Sequence, residues 1–242
     1  MSGNQLTFDL PVRPATGRAA FFVAPGNALA LAELDRWQSW PVRKLALVGP
    51  EGAGKSHLAA VWATEAGART MTVADLARAE DLPAGADLAD AAQRLVVEDA
   101  EGVAGDPVAE EALLHLHNRT LDAGGTLVMT ARIPPARWPV ALPDLASRLA
   151  ATPIARLEMP DDALLAALLR KLLDDRQLRV SAELIPYCVP RMERSFAAAQ
   201  RLVTELDARA LRQKRPVGRK LAAEVLDDDG ETRHNPANPS RS

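Results

Sequence analysis

One segment of eight residues constrains the fold of this chain more than any other. It reads Gly49-Pro50-Glu51-Gly52-Ala53-Gly54-Lys55-Ser56, follows the apolar run Leu45–Val48 and precedes helical spacing from His57 to Ala66. A short apolar run of this kind predicts a strand that is buried on both faces. A glycine-rich loop between a buried strand and a helix is typical of phosphate-binding loops. The sequence therefore predicts a parallel sheet built around this loop.

Strand and helix patterns alternate on both sides of the loop. A helix over residues 28–34 is expected to be capped by Asn27 and ended by Pro41, and another is expected over residues 108–121. The five predicted strands cover residues 44–48, 69–73, 95–97, 126–130 and 154–157. Alternation of this kind implies right-handed crossovers and a parallel sheet with helices on both faces. The predicted fold class is α/β, a P-loop base with a parallel five-stranded sheet.

The pattern changes at Pro160, after which only helices are predicted. Asp161 can cap a leucine-rich helix, and further helical stretches follow near 181–189 and 194–213. From Asp227 onward the sequence is polar and nearly free of apolar residues. We therefore predict an extended arm (1–19), a nucleotide-binding base (20–158), a small all-helical lid (159–226) and a disordered tail (227–242).

Composition and charge exclude several classes of protein. The net charge of −3 and the pI near 5.9 argue against coating nucleic acid through bulk charge. The single cysteine, Cys188, indicates a reduced, intracellular environment. No basic patch precedes an apolar run at the N-terminus, and no run reaches the roughly 18 apolar residues that span a bilayer. We expect a cytoplasmic protein with no membrane contact. The basic stretch of residues 209–220 has acidic neighbours, so we interpret it as a solvated surface. The sequence leaves open whether this surface also contacts DNA directly.

The loop and one acidic pair carry the predicted chemistry. Glycines 49, 52 and 54 let backbone N–H groups surround a phosphate, while Lys55 reaches the β/γ oxygens and Ser56 offers a hydroxyl to Mg²⁺. The pair Glu98-Asp99 ends the third strand, where carboxylates can bind the magnesium and orient a water. The predicted cofactors are ADP or ATP with Mg²⁺, and the sequence leaves open which nucleotide is resident.

Three further strings resemble the DnaA/Hda branch of the AAA+ family. They are residues 22–30 ahead of the loop, residues 115–125 before the fourth strand, and Leu142-Pro143-Asp144-Leu145-Ala146-Ser147-Arg148-Leu149. The resemblance covers roughly residues 20 to 226 and implies an AAA+ base followed by a helical lid. It also implies that Arg148 is an arginine finger offered to a neighbouring subunit's nucleotide, that Arg194 is the sensor 2 arginine and that Thr130 lies at the sensor 1 strand end.

The loop motif, the acidic pair and the resemblance together give the set of candidate site residues. The catalytic candidates are Arg148, Glu98 and Asp99, and the magnesium candidates are Ser56, Glu98 and Asp99. The candidates for nucleotide contact are Asn27, Gly49, Gly52, Ala53, Gly54, Lys55, Ser56, His57, Thr130 and Arg194. The chain departs from the family where Glu98 precedes Asp99 and where Arg132 replaces a usual Asp. These departures imply weak intrinsic ATP hydrolysis.

The arm carries a short motif of its own. Gln5-Leu6-Thr7-Phe8-Asp9-Leu10 resembles the peptide with which this branch binds the DNA polymerase sliding clamp. Leu6, Phe8 and Leu10 would be buried in a groove while Gln5 is hydrogen-bonded at one end. Packing of the arm on its own domain is the alternative.

The implied function is negative regulation of replication initiation. The partners would be DnaA and the sliding clamp, with DNA reached mainly through the clamp and with a homo-oligomer possible. The protein would act chiefly as an activator of DnaA-bound ATP hydrolysis, since no DNA-binding domain is expected after Leu226. Two alternatives stay open: a self-sufficient AAA+ ATPase that loads or remodels other molecules, and a non-catalytic DnaA-like adaptor.

Overall fold

The computed structural model describes residues 25–79 and 94–234 of the 242-residue chain. The chain divides into two compact units, one extending to Met159 and the other beginning at Pro160. The predicted arm of residues 1–19, with Gln5, Leu6, Phe8 and Leu10, lies outside the described residues. So do residues 235–242 of the predicted tail.

A five-stranded parallel sheet forms the centre of the first unit. Its strands are β1 (Lys44–Val48), β2 (Arg69–Thr72), β3 (Arg94–Glu98), β4 (Thr126–Ala131) and β5 (Ile154–Arg156). They lie in the order β2-β3-β4-β1-β5, and each neighbouring pair is parallel. The predicted α/β class and the parallel five-stranded sheet are confirmed. Each predicted strand differs from the observed one by no more than one residue at either end.

Helices pack on the two faces of this sheet. They are α1 (Pro25–Asp35), α2 (Lys55–Ala66), α3 (Val73–Ala79), α4 (Pro107–Asp122) and α5 (Pro143–Ala150), with 3₁₀ turns at Trp37–Ser39, Ala100–Val103 and Pro135–Arg137. The prediction that Asn27 caps the first helix is wrong. The helix begins at Pro25, because proline's fixed φ suits a first helical turn that has no use for its missing N–H. It ends at Asp35, well before Pro41.

Two apolar clusters cover the sheet. One contains Leu45, Leu47 and Val96 with Leu58 and Trp62 of α2. The other contains strand residues adjacent to these along the chain, such as Leu95 and Val97, together with Leu113, Leu145 and Leu149 from α4 and α5. Since successive strand residues point to opposite faces, the two clusters lie on opposite sides of the sheet. The short strands are thereby buried on both faces, as their continuous apolar runs predicted.

The second unit contains only helices as regular elements among its described residues. They are α6 (Asp162–Asp175), α7 (Leu184–Cys188), α8 (Phe196–Gln213) and α9 (Arg219–His234). The predicted cap is confirmed, because Asp161 Oδ1 accepts a 2.7 Å hydrogen bond from the Leu164 amide. Helix α8 packs against both α6 and α9. The leucines of α6, together with Leu202 and Leu206 of α8, are mostly buried.

Helix α9 corrects the prediction of a disordered tail from Asp227. The helix continues to His234, although its second half is polar. Burial of Leu221, Ala222 and Val225 fixes its first turns, and each further residue then adds one hydrogen bond at little cost. Arg209 of α8 also pairs with Asp228 at 2.7 Å. The polar sequence did not predict how far this helix extends, because contacts that anchor the helix come from another helix.

Within the described ranges, no helix is both long enough and apolar enough to cross a membrane.

Candidate functional site

The glycine-rich loop lies at the carboxyl edge of the sheet, beside the ends of two other strands. Strand β4 lies between β1 and β3, so the segments that follow these three strands meet at one edge. The Gly49 amide, at the start of the loop, donates a 3.2 Å hydrogen bond to the carbonyl of Ala131 at the end of β4. The structure thereby brings the predicted loop, the acidic pair and Thr130 together.

Two different demands explain the glycines of the loop. A Cβ atom on Gly49 would lie 2.3 Å from the Leu157 carbonyl oxygen, so close packing against the segment after β5 excludes any side chain there. Gly52 and Gly54 have φ of 81° and 91°, which are values that other residues adopt only at a cost. Gly54 is also the N-terminal cap of α2. The loop therefore presents its backbone and the positive end of α2 to an anion.

Lys55 is the cation of this loop. Its side chain is buried, and Nζ donates hydrogen bonds to the carbonyl oxygens of Gly49 at 2.8 Å and Pro50 at 2.9 Å. Burial lowers the pKa of Lys55, while the negative charges of Asp99, Glu101 and Glu51 oppose this change. An anionic phosphate would raise the pKa of Lys55, as these carboxylates do. The arrangement is suited to binding a phosphate chain with a lysine that is already close to the loop backbone.

The acidic pair ends β3 close to Thr130. Asp99 has a φ of 47°, and its amide donates a 2.9 Å hydrogen bond to Oγ1 of Thr130, a fully buried residue of β4. This bond fixes the turn that carries the two carboxylates. Burial and the neighbouring charge of Asp99 raise the pKa of Glu98. A divalent cation would offset this crowding of negative charge.

The chemistry of these donors fits Mg²⁺. The ion prefers oxygen ligands, retains several waters and is shared with phosphate oxygens, so one hydroxyl and one or two carboxylates suffice. Ser56 is exposed at the start of α2, and Glu98 and Asp99 end β3. No group of three or more His, Cys, Asp or Glu side chains suited to a metal occurs in the described parts of the chain.

An ion pair at this edge was missed by the sequence reasoning. Oε1 of Glu101 accepts hydrogen bonds from both the amide of Arg132, at 2.9 Å, and its Nε, at 3.1 Å. The Glu101 side chain is 13% exposed and that of Arg132 is 65% exposed. The sequence did place Glu101 near the site, because it lies only three residues after Glu98. The pairing itself joins residues 31 apart in sequence, so only the fold could reveal it.

Arg148 lies on the exposed side of α5, whose start is anchored by a buried carboxylate. Leu145 and Leu149 of the helix are buried, whereas Arg148 in its last turn is exposed. Oε2 of the fully buried Glu110 accepts hydrogen bonds from the amides of Ala141 at 2.8 Å and Leu142 at 3.0 Å. Its Oε1 accepts one from the Gly105 amide at 3.0 Å. Burial alone would raise the pKa of Glu110, but these three amides lower it overall.

The other end of α5 is held by a buried lysine. Lys44 Nζ donates to the Arg148 carbonyl oxygen at 2.8 Å and lies 3.1 Å from Nε2 of His117. Nδ1 of His117 is 3.2 Å from Oδ1 of Asn118, so the network assigns the proton to Nδ1 and the lone pair facing Lys44 to Nε2. Burial lowers the pKa of both Lys44 and His117. The backbone of α5 is thus fixed at both ends while the Arg148 side chain faces outward.

The remaining predicted residues occupy different surroundings. Asn27 and Ala53 are buried, and His57 is half-buried at the start of α2. Arg194 belongs to the second unit, in the segment before α8, where its guanidinium pairs with Asp162 at 2.6 Å. The pair is largely exposed, with side-chain exposures of 51% and 61%. Arg194 is therefore held by the first turn of α6.

The sheet order, the loop between β1 and α2 and the acidic end of β3 together define an AAA+ P-loop fold. A scan against family models found no match. Among solved structures, the chain is similar to domain III of the Thermotoga maritima replication initiation protein DnaA. The TM-score is 0.74 and the identity 21%, over 90% of this chain and 98% of that one.

Two other structures place this likeness in context. AMPPCP-bound DnaA from Aquifex aeolicus matches with a TM-score of 0.65 and 18% identity over 78% of this chain. Only 64% of that DnaA chain is covered. A structure of RuvB from Thermotoga maritima matches with a TM-score of 0.58 and 16% identity over 82% of this chain and 66% of that chain. At these identities the likeness shows the fold and not the activity.

Proposed function

We propose that this chain is an Hda-like regulator of chromosomal replication initiation, which binds an adenine nucleotide and promotes the hydrolysis of ATP bound to DnaA. The observation that carries the proposal is the exposed Arg148 on a helix whose backbone is anchored at both ends, by Glu110 and by Lys44. A guanidinium offered to a neighbouring nucleotide stabilises the charge of the phosphoryl-transfer transition state. Such a group acts best on a rigid support.

The nucleotide would occupy the loop of the protein's own base. Backbone amides of Gly52 and Gly54 and the start of α2 would hold the phosphates, with Lys55 on the β/γ oxygens. Ser56, Glu98 and Asp99 would hold Mg²⁺, which neutralises phosphate charge when bound. The choice of an adenine nucleotide is supported by the similar Aquifex aeolicus DnaA, whose structure contains AMPPCP. We propose ADP or ATP as the resident nucleotide.

Hydrolysis at this site is proposed to be slow. The longer carboxylate, Glu98, precedes Asp99 at the end of β3, which reverses the order usual in such ATPases. The position after Thr130-Ala131 is a cation, Arg132, paired with Glu101. The protein would then use its nucleotide to hold a conformation and would act on the nucleotide of DnaA. The N-terminal peptide would bring it to the DNA-loaded sliding clamp.

One assay separates this proposal from the two alternatives. ATP hydrolysis is measured for this protein alone, for DnaA alone, and for both together with DNA-loaded clamp. The proposal expects little activity from either protein alone and a large increase in the complete mixture. High activity from this protein alone would favour a self-sufficient ATPase. Binding to DnaA or to the clamp without any increase would favour a non-catalytic adaptor.

The clamp contact has a separate test. The double variant Gln5→Ala with Leu6→Ala removes the hydrogen-bonding end and one apolar anchor of the proposed peptide. We expect it to abolish retention of the protein on immobilised clamp. The matched control is Thr7→Ala, which changes a residue between the anchors and should retain binding. Undiminished retention of the double variant would remove the peptide from the proposal.

A further inference from the structure

A cavity lies at the amino edge of the sheet, opposite to the edge that carries the phosphate loop. Its volume is about 260 Å³, and it is lined by Trp37, Gln38, Arg43, Arg94, Gly124 and Thr126. Arg43 directly precedes β1, Arg94 begins β3 and Thr126 begins β4. These strands are neighbours in the sheet and run parallel, so their amino ends meet at one edge. The cavity is therefore separate from the proposed nucleotide site.

Two arginines give the cavity its positive charge. Nη1 of Arg94 donates a 2.7 Å hydrogen bond to the Ala66 carbonyl oxygen, and Nη1 of Arg43 donates one to the Gly124 carbonyl oxygen. Gly124 makes room for this contact, because a Cβ atom there would lie 2.8 Å from Nη1 of Arg43. A carbonyl group orients a guanidinium but does not neutralise it. Both side chains are thus oriented at the cavity and keep their full charge.

Among the residues that the structure describes, no carboxylate pairs with either arginine. The other contact of Arg94 is with Trp37, whose ring centroid lies 5.0 Å from Cζ of Arg94. Trp37 packs edge-to-face against the buried Trp62, with 5.9 Å between the ring centroids. Trp37 therefore gives the cavity a fixed apolar wall beside one of its two cations. Cations without an acidic partner, next to such a wall, are suited to an anion that carries an organic group.

The charge and the size of the cavity favour a phosphate dianion. A guanidinium presents its N–H donors in a fork that matches the oxygens of phosphate. A carboxylate or a phosphodiester brings one negative charge to the two cations, whereas a phosphomonoester brings about −1.5 to −2 at neutral pH. The volume of about 260 Å³ is below the roughly 300–1,000 Å³ of pockets for drug-sized ligands, so the ligand must be small.

We propose that this cavity is a binding site for a phosphate dianion, either free or as the terminal group of a small organic molecule. Arg43 and Arg94 bind the phosphate through guanidinium nitrogen atoms other than Nη1, and Trp37 contacts the organic group. The nucleotide proposed above and this ligand bind at opposite edges of the same sheet. The inference goes beyond the proposed function and does not depend on it.

The test is isothermal titration calorimetry of the full chain with methyl phosphate, in saturating Mg-AMPPCP so that the phosphate loop is occupied. We expect saturable binding, and weaker binding of dimethyl phosphate, which has a single negative charge. Arg43→Ala should weaken methyl phosphate binding about 10-fold, the typical worth of one charge-assisted hydrogen bond. Arg94→Lys retains the charge without the fork and should weaken it by a smaller factor.

Two further probes distinguish the sources of the phosphate. Phenyl phosphate adds a ring that Trp37 can contact, whereas inorganic phosphate has no organic group. Tighter binding of phenyl phosphate would identify a phosphorylated organic molecule as the ligand. Equal affinities would identify free phosphate.

Two variants serve as controls. Arg69 begins β2 at the same edge and is exposed, but it does not line the cavity, so Arg69→Ala should leave the dissociation constant unchanged. Lys55→Ala removes the cation of the phosphate loop and should retain methyl phosphate binding. Loss of binding in Lys55→Ala would show that the phosphate had occupied the loop, and would overturn the inference.

Three other results would also overturn the inference. They are no binding of methyl phosphate by the unaltered protein, equal affinity of Arg43→Ala and the unaltered protein, and equal affinity for methyl and dimethyl phosphate. Failure of Mg-AMPPCP to bind would count against the proposed nucleotide site alone. The titration of Lys55→Ala would then still test the cavity.

Discussion

At the scale of single residues, the phosphate loop needs a position without a side chain as much as it needs a positive charge. Gly49 is needed because the Leu157 carbonyl oxygen occupies the space of a side chain. Lys55 is needed as a buried cation that already contacts the carbonyl groups of its own loop. These two requirements are independent of each other. A change at Gly49 therefore probes the packing of the loop rather than its charge.

Gly49→Ala is expected to destabilise the first unit and to impair nucleotide binding. The added Cβ meets backbone and not a movable side chain, so strand β1 or the segment after β5 must shift. Overpacking of this kind costs about 2 kcal/mol of unfolding free energy. The measurement is urea denaturation of the variant and the unaltered protein.

The matched control for this change is Gly218→Ala. A Cβ at Gly218 has no neighbour within 4 Å, and we expect a change below about 0.5 kcal/mol. Equal unfolding free energies for Gly49→Ala and the unaltered protein would contradict the packing role of Gly49.

Several residues of the site could be predicted from the sequence because their signals are local. Two short segments, the apolar run before Gly49 and the acidic pair after residues 95–97, each indicate where a strand ends and which functional groups lie there. The Glu101–Arg132 pair could not be predicted, because its members belong to different strand ends. The burial of Lys44 and Glu110 could not be predicted either. Charged residues are usually exposed, and the partners that allow their burial are known only from the fold.

At the scale of elements, helix α5 is the part of the base whose position matters most. Glu110 binds the two amides just ahead of it, and Lys44 binds the carbonyl of Arg148 near its end. Both residues support the helix that carries Arg148. The orientation of Arg148 should therefore depend on the ionised form of Glu110.

Glu110→Gln is expected to lower stability at neutral pH by about 2 kcal/mol, because an amide nitrogen replaces one of the oxygens that accept backbone amides. The pKa of Glu110 in the folded protein lies below its usual value of 4.5. Its contribution is therefore complete above that value and is lost as the pH falls through the folded-state pKa. The difference in unfolding free energy between the two proteins should therefore be smaller at acid pH, below 4.5, than at neutral pH.

Urea unfolding at the two pH values checks this dependence, with Glu111→Gln as the control. Glu111 is exposed and next in sequence, and its loss should change stability by less than about 0.5 kcal/mol. A difference for Glu110→Gln that stays constant down to acid pH would mean that its carboxylate does not anchor the segment before α5.

At the scale of the whole molecule, the fold of the first unit was largely predictable from the sequence, and the helices of the second unit were less so. The alternation of strands and helices gave the sheet of the first unit, because each apolar run is short and bounded by turn residues. Helix α9 was missed because its polar second half has no apolar period to detect. Its first half is held by burial of Leu221 and Val225. Such support depends on tertiary contacts.

The base and the arm have separate proposed tasks. The base is proposed to bind the nucleotide and to present Arg148, and the arm is proposed to bind the sliding clamp. The base is proposed to promote a reaction on another protein's nucleotide, with its own phosphate loop serving mainly to hold a nucleotide in place. The ATP that is proposed to be hydrolysed is therefore the one bound to DnaA.

The most direct test follows ATP that is bound to DnaA and labelled on its α-phosphate. DnaA carrying labelled ATP is mixed with DNA-loaded clamp and with this protein preloaded with unlabelled ADP, and the labelled ADP retained on DnaA is measured over time. We expect rapid conversion with the unaltered protein, slow conversion with Arg148→Ala, and rapid conversion with the exposed control Arg119→Ala. Equal conversion rates with Arg148→Ala and the unaltered protein, or no acceleration by either, would contradict the proposed role of Arg148 in the hydrolysis of DnaA-bound ATP.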